Sequence, residues 1–565
     1  DEHSRLAASI AGLTMVPPAV IGSLSTMDEF RASWVRDLRI LRQNIFSGVT
    51  KGQLVDPHGQ VGTTPFHLAH QGGPDLDLMS SIAGVYDAAA PSLRYTSPHC
   101  RHKGQGVAEG SREEELLGTP IRIGFFSSYL RGHSIGKMMC VLIATLAENP
   151  DLEIHVFGPD GGDGGSGTKA HEAAGGDPII EALQADVHHW HQAPRELDKA
   201  RRAVAREELD VLVYPDIGMD PLTYLMAFAR LAPVQCVWWG HPVTPSTGAI
   251  DYFLSLEAEA EEGQLDYLEQ MVRMDVINTA PFAQVNRLTV FGGLVLPFPI
   301  FSEASSLEDP RIFDRNLILR KKLKSASRLT KTQGIYLHTK YVVVKAAAVA
   351  KNDHTALDAM YDEELDPGGS DAPKCLRTYL VLGRLFKLHP DFDVAIAGIL
   401  SGDPSGCVVL IHETRDEEWT RTVWSRLRGM LLPQGLFRRL RIVHHWLYTV
   451  TLRRATAILD TFPYGGCLTV LEGLAYGVPV VTLPADFVRG RFALAMYTQM
   501  GYTDLVAENV EGYVSLAVRL GTEESFAKQA LARVEEGYRE SLHKNKQSAQ
   551  EWGAFFVRAF RIARI

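Results

Sequence analysis

The sequence predicts an α/β protein with two doubly wound, Rossmann-like domains, because apolar strand patterns alternate with helical patterns in two separate stretches. In the first stretch, the apolar run 121–126 is followed by helical periodicity over 135–147 and then by another strand pattern. In the second stretch, the run 457–459 meets Asp460, two glycines and a short amphipathic pattern, and residues 480–483 form the next apolar run. Each succession is typical of a βαβ unit with parallel strands.

Composition narrows the class of protein. A chain of 565 residues is expected to form at least two domains, and its 45% hydrophobic residues and mean hydropathy of −0.05 are those of a protein with an ample core. The net charge of −10 argues against a general binder of nucleic acid or of anionic membranes. The sequence contains no run of about 18 uncharged apolar residues, so no membrane span is predicted. We therefore expect a globular protein that binds neither nucleic acid nor a membrane.

The cysteines and the first residue give further expectations. The six cysteines are scattered without a CxxC pair, so they are predicted to be buried or free thiols in a reducing compartment. Such a compartment favours a cytoplasmic location, with the nucleus as a second one. The chain begins at Asp1 rather than Met, and a further segment is expected upstream of it.

The stretch 458–501 holds the strongest functional signal. Gly465 and Gly466 give the loop after the strand its backbone freedom, and Thr469 is a suitable N-cap for the helix that follows. The unpaired N–H groups and the dipole at such a helix N-terminus favour a phosphate, and Glu472, one turn further on, could accept ribose hydroxyls. From these residues alone, a sheet edge without a ligand explains the pattern equally well.

Longer motifs resemble one family. The segment LDTFPYGGCLTVLEGL, followed by GVPVVT and Arg491, is similar to the nucleotide-binding segment of the O-GlcNAc transferase/SPINDLY family, glycosyltransferase family 41, and most of all to its bacterial-type members. Further matches are GFFSSYLRGHSIG, VYPDIGMD, RLAPVQCVWWGHPVT and LFKLHPDFD. The chain departs from the family pattern at Leu468, where the family has His or Asn, at Val470, which replaces a Thr, and at Gly383-Arg384, which replaces a Gln.

The resemblance implies a GT-B fold, in which two Rossmann-like domains face each other across a cleft. The expected parts are a helical N-terminal region (1–118), an acceptor-side domain (119–300), an insertion or connection (301–371), a nucleotide-sugar domain (372–540) and a C-terminal helix that packs back on the first domain (541–565). Family members often carry tetratricopeptide repeats. Because no 34-residue period occurs here, such repeats are expected only upstream, outside this chain.

The family also implies an activity and the residues for it. The expected reaction is an inverting, metal-independent transfer of GlcNAc from UDP-GlcNAc to Ser or Thr hydroxyls of protein acceptors, with no cofactor besides the nucleotide-sugar donor. Lys387 matches the lysine that neutralises the donor diphosphate, and His133 matches a histidine of the sugar cleft, where it could assist proton removal. The other implied donor-binding residues are Gly465, Gly466, Leu468, Thr469, Val470, Glu472 and Arg491. The implied sugar and acceptor side comprises Asp216, Gly240, His241, Pro242 and Thr244.

Two alternatives remain open on these residues. SPINDLY members use GDP-fucose, and nothing in the motifs separates the donor bases, so protein O-fucosyl transfer is the first. The departures at Leu468 and Val470, together with the missing Gln, favour the second, a degenerate scaffold that keeps the cleft without the chemistry.

Three further features are predicted to be structural. His188, His189 and His191 lie close in sequence, but no clear carboxylate or cysteine ligands accompany them, so we expect a surface cluster and no metal site. Asp391 and Asp393 imitate a metal-binding DxD motif, yet family members without metal dependence have the same DFD. The segment GTTPFHLAHQG is assigned a packing role only.

Overall fold

A computed structural model of the chain describes residues 2–14, 20–100, 119–158, 177–278, 289–291, 294–296, 374–412, 417–444, 447–542 and 546–564. The predicted insertion or connection at 301–371 lies outside these residues. Among the described helices, none is long and apolar enough to cross a membrane.

The first sheet is parallel throughout and has the strand order β3-β2-β1-β4-β5-β6-β7. Its strands are β1 (Ile121–Phe126), β2 (Leu152–Gly158), β3 (His189–Gln192), β4 (Val211–Tyr214), β5 (Val234–Trp238), β6 (Tyr252–Leu256) and β7 (Gln270–Met274). The central strands are buried on both faces, which explains why they read as continuous apolar runs rather than as alternating patterns.

The second sheet is also parallel and has the order β12-β11-β10-β13-β14. A short antiparallel pair, β8 (Thr289–Phe291) and β9 (Leu294–Leu296), lies between the two sheets in sequence. The strands of the second sheet are β10 (Arg377–Val381), β11 (Gly406–His412), β12 (Leu440–His444), β13 (Ala457–Leu459) and β14 (Val480–Val481).

Helices precede, connect and cover the two sheets. The N-terminal region contains α1 (Glu2–Thr14), α2 (Leu24–Phe46), α3 (Pro57–Val61) and α4 (Leu76–Ala89). The first sheet is connected by α5 (Ser134–Ala147), α6 (Pro178–Asp186), α7 (Leu197–Arg206) and α8 (Pro221–Met226). The second part of the chain contains α9 (Pro390–Gly402), α10 (Glu417–Leu431), α11 (Tyr448–Arg454), α12 (Leu468–Ala475), α13 (Phe492–Met500), α14 (Val510–Thr522), α15 (Glu524–Gly537) and α16 (Gln547–Arg564).

Each sheet has one point at which its strand order reverses. In the first sheet this point lies between β1 and β4, and in the second it lies between β10 and β13. At such a point the connections leave in opposite directions, so the carboxyl ends of the two strands border a crevice where ligands of open α/β sheets bind. The loops after these four strands are therefore where a site is expected.

The helix α16 follows the second sheet in sequence but packs on the first. Its Trp552, Phe555 and Phe556 contact the rings of Trp238, Tyr252 and Phe125 in β5, β6 and β1, with ring centroids 5.4–6.5 Å apart. The Glu551 carboxylate also accepts the backbone N–H of Asp275, just after β7, at 2.6 Å. The first domain is thus completed by residues from the far end of the chain.

The prediction that all cysteines are thiols is wrong for one pair. Cys375 and Cys407 form a disulfide, with their Cα atoms 5.4 Å apart. The two residues are 32 positions apart in sequence, and only the parallel pairing of β10 with β11 brings them together. Cys140 and Cys236 are buried free thiols, as expected. Cysteine usage therefore no longer supports a reducing compartment, and the cytoplasmic or nuclear location stays a prediction.

Candidate active site

Lys387 lies at the reversal point of the second sheet, in a short 3₁₀ turn (Leu385–Lys387) after β10. Its Nζ donates a hydrogen bond to the Gly465 carbonyl at 3.0 Å and lies 4.5 Å from the centre of the Tyr464 ring. Burial lowers the pKa of Lys387 to about 8, against the opposing effect of the nearby Asp460 carboxylate. The lysine is therefore a largely desolvated cation held against the glycine turn.

The glycine turn is fixed by Asp460, at the end of β13. One carboxylate oxygen accepts the Gly466 N–H at 2.7 Å and the other accepts the Thr482 hydroxyl at 2.8 Å, while burial raises the pKa of Asp460 to about 6. A Cβ on Gly466 would come within 2.4 Å of Thr469 Oγ1. Gly466 is thus required for the close approach of the hydroxyl. Asp460 was not among the predicted site residues, although its place between a strand and a double glycine could have indicated it.

The helix after this turn begins two residues earlier than predicted. α12 starts at Leu468 with Cys467 as its N-cap, and Cys467 makes no side-chain capping hydrogen bond. Thr469 is therefore inside the first turn, and the prediction that it is the N-cap is wrong. Val470 is only 1% exposed and packs in the core, so replacing a Thr there removes no group from the turn. Leu468 is half-buried at the start of the helix.

Glu472 lies further along α12 and faces the first domain. The Tyr448 hydroxyl donates to its carboxylate at 2.5 Å. Burial raises the pKa of Glu472, while Lys137 in α5 acts to lower it. Nearby, Cys467 Sγ lies 3.7 Å from Met138 Sδ, also in α5. The start of α5 and the glycine turn therefore face each other across the two domains.

His133 caps α5 after β1, at the reversal point of the first sheet. Its Nδ1 accepts the Ile135 N–H at 3.3 Å. Burial, together with the positive charges of Arg131, Arg384 and Lys137, lowers the pKa of His133 to about 4. The ring is therefore neutral at pH 7, and because Nδ1 accepts a hydrogen bond, Nε2 carries the hydrogen. This arrangement suits a hydrogen-bond donor to a ligand better than a proton acceptor.

Asp216 and Thr244, two of the predicted acceptor-side residues, lie in buried surroundings. Asp216, after β4, is fully buried, and burial raises its pKa well above the usual range against the effect of the Ser127 hydroxyl. Thr244 donates its hydroxyl hydrogen to Glu269 at 2.7 Å. The same carboxylate accepts the N–H of Ser246, which has a φ of 53°. Glu269 thereby holds the loop from Thr244 to Ser246.

The Gly240-His241-Pro242 segment follows β5. A Cβ on Gly240 would lie 2.2 Å from the Pro215 carbonyl oxygen, so only glycine fits between the two loops. The buried His241 ring stacks on Phe66 with centroids 5.3 Å apart. Burial, with smaller effects from Arg489 and His67, lowers the pKa of His241 to about 3. This imidazole is neutral at pH 7.

The segment that was assigned packing alone supplies two more imidazoles. The His70 ring lies 4.5 Å from the rings of both Phe386 and Tyr464, and burial and the charge of Lys387 lower its pKa. Its Nδ1 has no hydrogen-bond partner among the described residues. His67 contacts Phe386 as well, and burial lowers its pKa to about 4. Two histidines three residues apart were the signal in the sequence, but only the fold shows that they adjoin Lys387.

Two arginines tie the domains together beside the site. The predicted donor-binding residue Arg491 donates to the carbonyls of Ala258, after β6, and of Ala485. Arg489, which the sequence did not single out, is almost fully buried and forms ion pairs with Asp75 at 3.2 Å and Asp266 at 3.9 Å. The structure thus places Arg491 at the domain interface and gives Arg489 the central interdomain contacts.

Charge in the crevice is predominantly positive. The charge of Lys387 acts on His70, and those of Arg131, Arg384 and Lys137 act on His133. Lys137 also acts on Glu472. The first turn of α12 adds N–H groups that point out of the helix. Such a site favours an anion with several oxygens, as in a diphosphate.

Asp393 does not belong to the site. It forms an ion pair with Arg426 at 2.6 Å and lies in the first turn of α9, in line with the structural role predicted for the DxD-like motif. Asp391 pairs with His389, the N-cap of the same helix.

Comparison with known proteins adds to this picture. Residues 451–551 match the model of the glycosyl transferase family 41. Over 65 residues the chain is 40% identical to the probable UDP-N-acetylglucosamine–peptide N-acetylglucosaminyltransferase SPINDLY of Arabidopsis thaliana, which is 12% of this chain and 7% of that protein. Over 80 residues it is 36% identical to the UDP-N-acetylglucosamine–peptide N-acetylglucosaminyltransferase of Caenorhabditis elegans, which is 14% of this chain and 7% of that protein. The chain thus spans less than a tenth of the length of these relatives.

A solved structure extends the likeness to almost the whole chain. A mutant of the Thermobaculum terrenum O-GlcNAc transferase superposes with a TM-score of 0.54 and 18% identity, covering 94% of this chain and 88% of that one. This likeness confirms the GT-B fold that the sequence predicts. Residues 451–551, which match the family model, include the glycine turn, α12 and Glu472. Residues 451–551 thus resemble glycosyltransferase family 41, and over almost the whole chain the likeness is one of fold.

Proposed function

We propose that this chain is an inverting glycosyltransferase that moves GlcNAc from UDP-GlcNAc to Ser or Thr hydroxyls of proteins. The observation that carries the proposal is the Lys387 ammonium, 3.0 Å from the Gly465 carbonyl and next to the start of α12, at the reversal point of the second sheet. The plant and nematode relatives are both named as peptide N-acetylglucosaminyltransferases, which supports a protein acceptor.

The proposed reaction is an in-line displacement. The acceptor hydroxyl oxygen bonds to C1 of the sugar as the bond from C1 to the diphosphate oxygen breaks, and the hydroxyl proton passes to solvent water. Negative charge grows on the departing diphosphate, where Lys387 and the N–H groups of α12 stabilise it. In this scheme they supply the positive charge, and the transfer is independent of a metal ion. Glu472 would accept ribose hydroxyls, and His133 Nε2–H would donate to the sugar.

Nucleotide binding tests the donor. We expect UDP and UDP-GlcNAc, and not GDP or GDP-fucose, to raise the melting temperature of the chain, because a ligand at 100 times its Kd stabilises the fold by about 2.7 kcal/mol. Differential scanning fluorimetry with the four compounds in parallel measures this. A shift with the guanine pair alone would replace GlcNAc transfer by O-fucosyl transfer.

The degenerate scaffold remains the second candidate, and Leu468 is the structural observation in its favour. An apolar side chain stands at the start of α12, where the family has a hydrogen-bonding one. Val470 no longer supports this candidate, since its side chain is buried in the core. No thermal shift with any of the four compounds would favour the scaffold over the transferase.

Donor binding should weaken as the pH rises above the pKa of Lys387, which is about 8. The diphosphate binds the charged lysine, which is the form present below this pKa, so we expect the Kd to increase by up to about tenfold per pH unit between pH 8 and 9.5. Among its neighbours, Asp460 has a pKa of about 6, His133 is neutral, and burial raises the pKa of Cys467.

Calorimetric titration of UDP-GlcNAc from pH 7 to 9.5 measures this dependence, because the diphosphate diester keeps its charge over that range. In the Lys387→Met variant the Kd should be weak and independent of pH. A flat profile in the unchanged protein would contradict the role of Lys387.

A further inference from the structure

A second group of titratable side chains lies on the outer edge of the first sheet, on β2 and β3. Successive side chains of a strand point to opposite faces, so Glu153 and His155 share one face of β2, and His189 and His191 share the same face of β3. The parallel register sets His189 beside His155. Glu207, just after α7, reaches the same place.

Three of these groups have the spacing of metal ligands. Glu153 Oε1 lies 2.8 Å from His189 Nε2 and 3.9 Å from His155 Nε2, and all three atoms are within 4.8 Å of one another. Ligands about 2.1 Å from a tetrahedral ion are about 3.4 Å apart, a value between these two distances. Arg122 contacts the other oxygen of Glu153, Oε2, at 3.5 Å, and so leaves Oε1 directed at the histidines.

His155 provides the independent indication of a ligand. Its side chain is only 5% exposed, yet its Nε2 has no hydrogen-bond partner among the described residues. A buried polar nitrogen without a partner costs free energy, so such atoms are rare. Its other nitrogen, Nδ1, lies 3.1 Å from His191 Nε2 and 3.7 Å from Glu207. If Nδ1 carries the hydrogen, Nε2 presents its lone pair toward Glu153 and His189, as a metal-ligating histidine does.

We propose that Glu153, His155 and His189 bind a divalent transition-metal ion, Zn²⁺ or one with similar ligand preferences, and that His191 and Glu207 orient His155. Imidazole and carboxylate ligands suit this class of ion better than Mg²⁺ or Ca²⁺. Glu153 is 31% and His189 45% exposed, so the ion would be accessible from solvent and would keep water in a fourth position. The site would join the edge strand β3 to β2 and is separate from the transfer reaction.

The sequence alone predicts no metal site here, because no clear carboxylate or cysteine ligands lie near the histidines in sequence. Glu153 lies 36 residues before His189, and the parallel pairing of β2 with β3 is what brings them together. The expectation of a mere surface cluster is therefore corrected in one respect: two carboxylates do adjoin the histidines.

Metal titration of the full chain tests the proposal. After dialysis against EDTA, we expect the chain to bind one Zn²⁺ tightly, as measured by calorimetry and by metal analysis after equilibrium dialysis. His189→Ala and Glu153→Gln should each weaken this binding at least tenfold. Both positions are partly exposed, so these variants should fold, which circular dichroism checks. Mg²⁺ should not compete.

His188→Ala is the matched control. It removes the adjacent imidazole, whose Nδ1 accepts the Ile154 N–H at 3.1 Å instead of facing the cluster, and it should bind Zn²⁺ within about twofold of the unchanged chain. Undiminished binding in His189→Ala would place the ion elsewhere, for example at the cleft histidines, and would overturn the proposal. Failure of the unchanged chain to retain Zn²⁺ would overturn it as well.

Discussion

Lys387→Met is expected to lower kcat for sugar transfer by about 10³-fold, the upper range for removing one group that stabilises transition-state charge. The variant loses the Nζ charge, 3.0 Å from the Gly465 carbonyl, where the diphosphate departs in the proposed reaction. The fold should survive, because a buried ammonium with a lowered pKa is replaced by an apolar side chain of similar length. Transfer of radiolabelled GlcNAc to a protein acceptor, together with a melting curve, measures both effects.

Lys528→Met serves as the control for Lys387→Met. Lys528 is exposed on α15 and pairs with the exposed Glu524 one turn away, so its loss should leave both transfer and melting unchanged. Near-full transfer by Lys387→Met would refute the proposed active site. A collapsed melting curve would instead assign Lys387 a role in stability.

Arg489→Met is expected to destabilise the protein by about 3–5 kcal/mol, the usual cost of leaving buried charges without their partner. Arg489 is 1% exposed, and its removal would leave Asp266 without an ion-pair partner among the described residues and Asp75 with Arg31 alone. Its other hydrogen bonds go to the Gly73 and Pro242 carbonyls, so contacts among three parts of the chain would be lost together. Urea unfolding followed by tryptophan fluorescence measures the change.

A second substitution separates charge from packing at this position. Combining Arg489→Met with Asp266→Asn should recover part of the lost stability, because Asp75 keeps its ion pair with Arg31 at 3.0 Å and the carboxylate left without a cation is then neutral. Arg519→Met, which breaks an exposed pair with Glu523, should cost no more than about 0.5 kcal/mol. Equal effects of Arg489→Met and Arg519→Met would contradict the anchoring role of Arg489.

Local pattern was enough to predict the strands, the helices around them and the glycine turn. The apolar runs at 121–126 and 457–459 correspond to β1 and β13, since buried parallel strands admit few other residues. The longer motifs, through the family that they resemble, predicted the GT-B fold, and the likeness to a solved O-GlcNAc transferase confirms that fold.

Contacts between distant segments could not be predicted in this way. Nothing near His70 in sequence indicates that its ring meets Tyr464, and nothing near Asp75 indicates Arg489. The N-cap of α12 was misplaced by two residues, because Thr469 has the right chemistry but the chain enters the helix at Cys467. The roles of the implied site residues in binding and transfer stay predictions until the variants above are measured.

The placement of α16 has a consequence for synthesis of the protein on the ribosome. The apolar face formed by Phe125, Trp238 and Tyr252 has its cover only when residues 547–564 have emerged. Until then the nascent first domain exposes aromatic surface to the cell, although all of its strands have been made. Premature termination anywhere in the second domain would therefore damage the first one as well. The first domain is therefore completed last.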